Sequence, residues 1–221
     1  MLVEAIMTSG VMPLNTETPL SQVEKMAIDL GIYHVPIIDQ GKYVGLLDVS
    51  CFTEEDREQD VSIDTYRADL VKLSVGRRAF VFDTLKLFVE EEYTAIPVVD
   101  ETESVIGLLR LIDIIRYLEN TISIKHRGAF ITLKLGQNDY NLQEIARIVE
   151  SNDARVLSVH FEPDSGDGHL LCTIKINQED LSHILATFER FDYQPIAHSS
   201  INDDHDDLSD RYNLLMKFLN I

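Results

Sequence analysis

Basic residues are scarce in this chain. Nineteen lysines and arginines stand against 38 aspartates and glutamates, a formal net charge of −19 over 221 residues. A surface of that sign repels phosphate backbones and anionic lipid headgroups, which argues against nucleic acid and membrane as partners. Its everyday consequence is solubility. Cysteine is scarcer still. Cys51 and Cys172 lie far apart and form no paired motif, so both read as reduced thiols in a cytoplasmic protein. No apolar run is long enough to cross a bilayer, and Met1-Leu2-Val3-Glu4 lacks the start of a secretion signal. Catalytic signatures are missing as well: there is no nucleophile elbow, no Gly-rich phosphate loop and no HExxH pair. His160, His169, His183, His198 and His205 lack metal-ligand spacing, and the acidic run Asp203–Asp207 lacks the glycine and terminal glutamate of a calcium loop. The reading is therefore non-enzymatic, with no catalytic residue, no metal ligand and no cofactor assigned.

What the chain does have is an internal repeat, and a repeat fixes the architecture. Tyr93-Thr94-Ala95-Ile96-Pro97-Val98-Val99-Asp100 precedes Val105-Ile106-Gly107-Leu108-Leu109. Earlier, Tyr33-His34-Val35-Pro36-Ile37-Ile38-Asp39 precedes Tyr43-Val44-Gly45-Leu46-Leu47. Each copy reads as a buried strand, a turn, a second strand and then a helix. Thr18 is expected to cap a helix beginning at Pro19, with Leu20, Val23, Met26, Ala27 and Leu30 on one face and Gly31 as its stop. In the second copy the helix is expected to start between Arg77 and Asp83 and to bury Phe80, Leu85, Phe88 and Val89. Residues 53–69 read as a charged connection, and Ile112–Asn120 as the closing helix.

The duplicated strand pairs resemble the cystathionine-β-synthase (CBS) motif, which occurs in tandem. The resemblance implies a CBS pair over residues 1–125, split at about 60 and 61, acting as a regulatory module for adenosine-type ligands. AMP, ADP, ATP and S-adenosylmethionine are the candidates. It implies a site in the second copy, with Asp113 accepting the ribose hydroxyls. Thr94, Ala95, Ile96 and Pro97 would line the adenine, and Ser74, Val75 and Gly76 would be the matching upstream segment. Asp113 reads equally well as a cap for the helix that follows it. Arg110 stands where the family has Ser or Thr. It would grip a phosphate, face solvent or pair with an acid such as Asp48. In the first copy Asp48 and Cys51 replace the polar residue and the ribose aspartate. A carboxylate about 4 Å from a phosphate costs about 4 kcal/mol at intermediate dielectric, so that copy is expected to be silent toward nucleotides.

From Gly128 the pattern changes. Ala129–Leu135 alternates as a strand, Tyr140–Ser151 reads as a helix burying Leu142, Ile145, Ala146 and Val149, and Arg155–Phe161 and His169–Ile176 read as strands. A helix from Asn177 or Gln178 to Phe191 and a strand Tyr193–Ala197 follow. The order βαββαβ is ferredoxin-like, giving an α/β chain. A CBS pair joined to such a unit resembles acetoin-utilisation-type proteins, whose second half is ACT-like; residues 126–221 would be that domain. The family's Asp-x-Pro-Gly turn is here Asn138-Asp139-Tyr140-Asn141, and Tyr140 would fill the amino acid's place. Assembly is then the expected role of this half. The resemblance implies a homodimer and a regulated partner protein, with coupling through Thr121–Arg127. Arg211–Leu219 reads as a terminal helix with Tyr212, Leu215, Met216 and Leu219 on one side.

Overall fold

A 3-10 turn over Val3–Ala5 leads into two short strands, β1 (Thr8–Ser9) and β2 (Leu14–Asn15). This computed structural model describes residues 1–11, 13–136, 140–164 and 168–199. They divide into Met1–Leu118 and a second unit from Glu119 onward. In the first unit α1 (Leu20–Leu30), β3 (His34–Asp39) and β4 (Lys42–Asp48) come next. A connection holding α2 (Glu54–Gln59) follows. The order then recurs as β5 (Val75–Gly76), α3 (Val81–Glu90), β6 (Ala95–Val99), β7 (Val105–Arg110) and α4 (Leu111–Thr121).

Two expectations about the helices of this unit need correction. Thr18 does not cap α1; Pro19, extended at φ −70° and ψ 151°, holds that position. The orphan N–H groups of the first turn go to the connection instead: Leu20 donates to the Val61 carbonyl at 3.0 Å and Ser21 to Asp60 Oδ1 at 2.9 Å. That connection is thus part of the core, and it buries Ile63 and Tyr66. On α3 the inner face is Val81, Thr84 and Phe88 with Leu85 beside them, while Phe80 and Val89 are exposed. Phe80 is the extended residue before the helix, so the helical period starts one position later than its bulk suggested. Gly31 ends α1 at φ 65°, as expected.

The two halves exchange strands. One sheet runs β2-β3-β4, the other β1-β7-β6-β5. β1, at the head of the first repeat, lies antiparallel on β7 of the second, with Thr8 opposite Leu108 and Ser9 opposite Gly107. Reciprocally, Leu46 of β4 exchanges two backbone hydrogen bonds with Val71, at 2.8 and 3.0 Å. The repeat's matched glycines sit at these two crossings. A Cβ on Gly45 would lie 2.9 Å from Leu70 Cβ, and one on Gly107 would lie 2.9 Å from the Thr8 carbonyl oxygen. Glycine is needed there for close approach, not for its backbone angles. Buried Ala95 and Leu108 of the second repeat join the apolar cluster of the first, and Val3 joins that of the second.

In the second unit β8 (Phe130–Gly136), α5 (Leu142–Glu150), β9 (Val156–Pro163), β10 (His169–Ile176), α6 (Ser182–Arg190) and β11 (Gln194–Ser199) form one antiparallel sheet in the order β11-β8-β10-β9. That is the expected ferredoxin-like arrangement. Ile131, Leu133, Cys172 and Ile174 pack with Ile145, Ile148 and Val149 of α5 and Ile184 and Phe188 of α6. Ile148 takes the buried place expected of Leu142, which is exposed. α6 starts later than expected because Asp180 accepts the Ser182 N–H at 3.0 Å just ahead of it. Asn138-Asp139, the turn residues Ser165-Gly166-Asp167, the acidic run Asp203–Asp207 with His205, and the terminal helix lie outside the described residues. No helix among the described residues is long and apolar enough to cross a membrane.

Candidate ligand site

The last residue of β7 is Arg110 and the third of α4 is Asp113. Three positions on at a helix start, two side chains face each other. Here Arg110 donates from Nη2 to Asp113 Oδ1 at 2.8 Å and from Nε to Oδ2 at 2.9 Å, a two-pronged ion pair. The Asp113 side chain is 8% exposed and that of Arg110 17%. Oδ2 also accepts the Arg110 backbone N–H at 3.3 Å and the Thr8 hydroxyl at 3.2 Å. The backbone bond is one half of a capping box; Asp113 does not stand ahead of a helix starting at Ile114, as the capping reading expects, but is the third residue of α4 and reaches back to the N–H before it. Arg116 approaches Oδ1 from the exposed side at 3.6 Å. A carboxylate offers about four acceptor positions, and these are engaged by donors from the protein itself. The same bonds hold the Arg110 guanidinium above even its ordinary basicity.

Of the three expected roles of Arg110, a phosphate, solvent or an acid such as Asp48, the structure shows an acid pair, with Asp113 as the acid. Its remaining nitrogen, Nη1, donates to the Leu30 carbonyl at 3.4 Å. Thr8 and Leu30 both line an open surface groove, with Val11, Lys25, Met26 and Asp29 along its walls. The ion pair reaches this groove only through two of its wall residues, Thr8 and Leu30. Met26 and Leu30 are marked by the sequence only as part of an apolar helix face, and the other wall residues are not marked at all. They belong to the head of the first repeat and its helix, and only the exchange of β1 brings them to Asp113.

The other expected site residues lie along and beside β6. Ala95, Ile96 and Pro97 are buried in the strand β6. Thr94 turns toward the first repeat, where its hydroxyl accepts the Tyr33 N–H at 2.8 Å. Val75 and Gly76 run beside Val98 and Val99, whereas Arg110 lies opposite Ala95 at the other end of β6. Three residues of strand separate those levels, about 10 Å at roughly 3.3 Å per residue. Ser74 follows Leu73, whose carbonyl accepts the hydroxyl of buried Tyr43 from the first repeat. In the second unit Tyr140 rests on Phe161, ring centroids 4.8 Å apart. No group of three or more His, Cys, Asp or Glu among the described residues could hold a metal ion.

Comparison with known proteins fits this duplicated geometry. The CBS domain family matches twice, over residues 3–55 and 68–120. An uncharacterized protein of Methanocaldococcus jannaschii is 27% identical over 156 residues, 69% of this chain and 57% of that protein, so the chain spans little more than half of its relative. Among solved structures, a CBS domain pair/ACT domain protein from Thermotoga maritima is 19% identical, with a TM-score of 0.46, over 54% of this chain and 98% of that one. CBSX2 in complex with AMP is 18% identical, with a TM-score of 0.44, over 57% of this chain and 98% of that one. Residues 3–55 and 68–120 of this chain are a tandem pair of CBS domains.

Proposed function

We propose that the pair is a regulatory module whose second crevice takes an adenine nucleotide, and that the nucleotide exchanges partners with the Arg110–Asp113 pair. A ribose diol supplies two donors to Asp113, and a phosphate supplies acceptors to Arg110. The observation that carries this reading is the buried Arg110–Asp113 ion pair, which is bonded to Thr8 and Leu30 on the wall of an open groove. Splitting such a pair without replacing both partners leaves a buried charge uncompensated. AMP should therefore bind more tightly than adenosine, which satisfies Asp113 and abandons Arg110. Calorimetry with adenosine, AMP, ADP, ATP and S-adenosylmethionine at one salt concentration tests this. No heat and no shift in melting temperature with any of them defeats it.

Regulation requires that the ligand favour one arrangement of the protein over another, whether the response passes to the second, ACT-like unit or to a partner protein. A homodimer is part of the proposal. Ile28 on α1 and Val89 on α3 hold matching positions in the two repeats and are 79% and 73% exposed. One two-fold arrangement with a second copy covers both. Ile28→Asp combined with Val89→Asp should shift sedimentation from dimer to monomer. The second reading, a pair silent toward ligands that acts by assembly alone, is favoured by the fully engaged Asp113 carboxylate. It predicts that AMP leaves the melting temperature unchanged while dimerisation persists.

A further inference from the structure

The repeats meet at His34 of β3 and Thr94, the residue before β6. The Thr94 hydroxyl accepts the backbone N–H of Tyr33 at 2.8 Å and of His34 at 3.3 Å. It also lies 3.1 Å from His34 Nδ1, and the Thr94 N–H donates to that same nitrogen at 3.2 Å. With both lone pairs of the hydroxyl engaged, its proton is what remains to give, and Nδ1 is the acceptor in reach. Nδ1 is thus bare and receives two hydrogens, while the ring proton sits on Nε2. An imidazolium carries hydrogens on both nitrogens. A proton on Nδ1 would turn this acceptor into a donor facing two other donors.

We propose that the His34–Thr94 junction is a pH-sensitive latch between the two repeats, closed while His34 is neutral and released when Nδ1 takes a proton. The groups around the ring decide how readily that happens. From β4, Asp48 lies opposite His34 in the ladder and favours the proton. From the second repeat, Tyr93 packs edge-on with centroids 4.9 Å apart, and Arg110, opposite Ala95, is neutralised by Asp113. α1 faces the strand with Leu20, Val23 and Ala27, and β2 contributes Leu14 and Asn15, all uncharged. Burial outweighs Asp48, and the His34 pKa is lowered from its ordinary value. A lowered histidine is neutral in the folded state. The latch therefore contributes fully above about pH 6.5 and is lost as the pH falls from there through the lowered folded value. Release reaches further than the junction, because the Thr94 carbonyl accepts the Leu111 N–H at 3.0 Å, at the first residue of α4. The latch operates with or without a bound ligand.

Nitrogen-resolved NMR of the imidazoles in the full chain tests this without any variant. At pH 7.5 His34 should show a bare Nδ1 and a protonated Nε2, and its titration midpoint should fall below 6.5. A protonated Nδ1 at that pH, or a midpoint at or above 6.5, overturns the proposal. Urea midpoints at pH 7.5 and 5.5 give the second measure. His34→Asn keeps an acceptor near the Nδ1 position and cannot titrate, so its midpoint should fall less on acidification than that of the wild type. An equal fall overturns the latch. Where His34→Asn does not fold, Thr94→Val serves instead: removing the hydroxyl should move the His34 midpoint upward, and an unchanged midpoint counts against the proposal.

Discussion

At the end of β7 an arginine and an aspartate close on each other; at the end of β4 the matching residues, Asp48 and Cys51, turn inward on a 3-10 turn of their own. Asp48 accepts the Ser50 N–H at 2.8 Å, and the Cys51 thiol donates to the Asp48 carbonyl at 2.8 Å. Burial first, then Asp69 and Asp48, push that thiol up to about 11, so it stays neutral. The first crevice thus keeps an unpaired acid where the second has a matched pair of charges. A difference in the next layer accompanies this one. Tyr43 ties the start of β4 to the Leu73 carbonyl, while the matching Val105 on β7 has no hydroxyl to offer. The same backbone plan, written twice, carries different charges at matching positions because a few polar residues differ.

That contrast can be attacked directly. The largest effect is expected from Arg110→Ala, which leaves Asp113 buried and unpaired and should cost about 3 to 5 kcal/mol in urea denaturation. Asp48→Ala, which removes a half-buried cap, should cost about 1 kcal/mol. The double change Arg110→Met with Asp113→Leu should recover most of the first loss, since two apolar groups replace the pair. Next come the crossings. Gly45→Ala and Gly107→Ala should each lower stability by about 1 to 3 kcal/mol through overpacking, whereas Gly76→Ala, with open space at its Cβ, should not. Unequal costs at Gly45 and Gly107 would mean that the two exchanged segments are not equivalent supports. Tyr43→Phe strands the Leu73 carbonyl and should cost about 1 kcal/mol by thermal melting. The smallest effect concerns chemistry. Although exposed, Cys51 should react slowly with a disulfide reagent at pH 8, and the rate should climb as the pH approaches 11.

The repeat was legible because it is local: Pro36 and Pro97 sit in apolar runs that end in Asp39 and Asp100, and each run is one strand. The inner face of α3 is not legible in the same way, because Phe80 and Val89 are bulky and apolar yet exposed, and size alone does not mark a core face. Arg110 and Asp113 stand three apart at a helix start, a spacing that announces their pairing. Thr8 carries no such mark. It meets Asp113 across 105 positions of chain, and nothing local records a pairing at that range. The same holds for Leu30 and for the bond between Thr94 and His34.

The exchange of β1 also bears on how the molecule is made. Thr8 finds its strand partner, Leu108, only after a hundred further residues have been synthesised, and Leu46 must wait for Val71. Closing loops of that length is entropically slow, and contacts so distant in sequence delay folding. Neither repeat can complete its sheet on the ribosome ahead of the other, so the pair should mature in a single late step and should not survive being cut into halves.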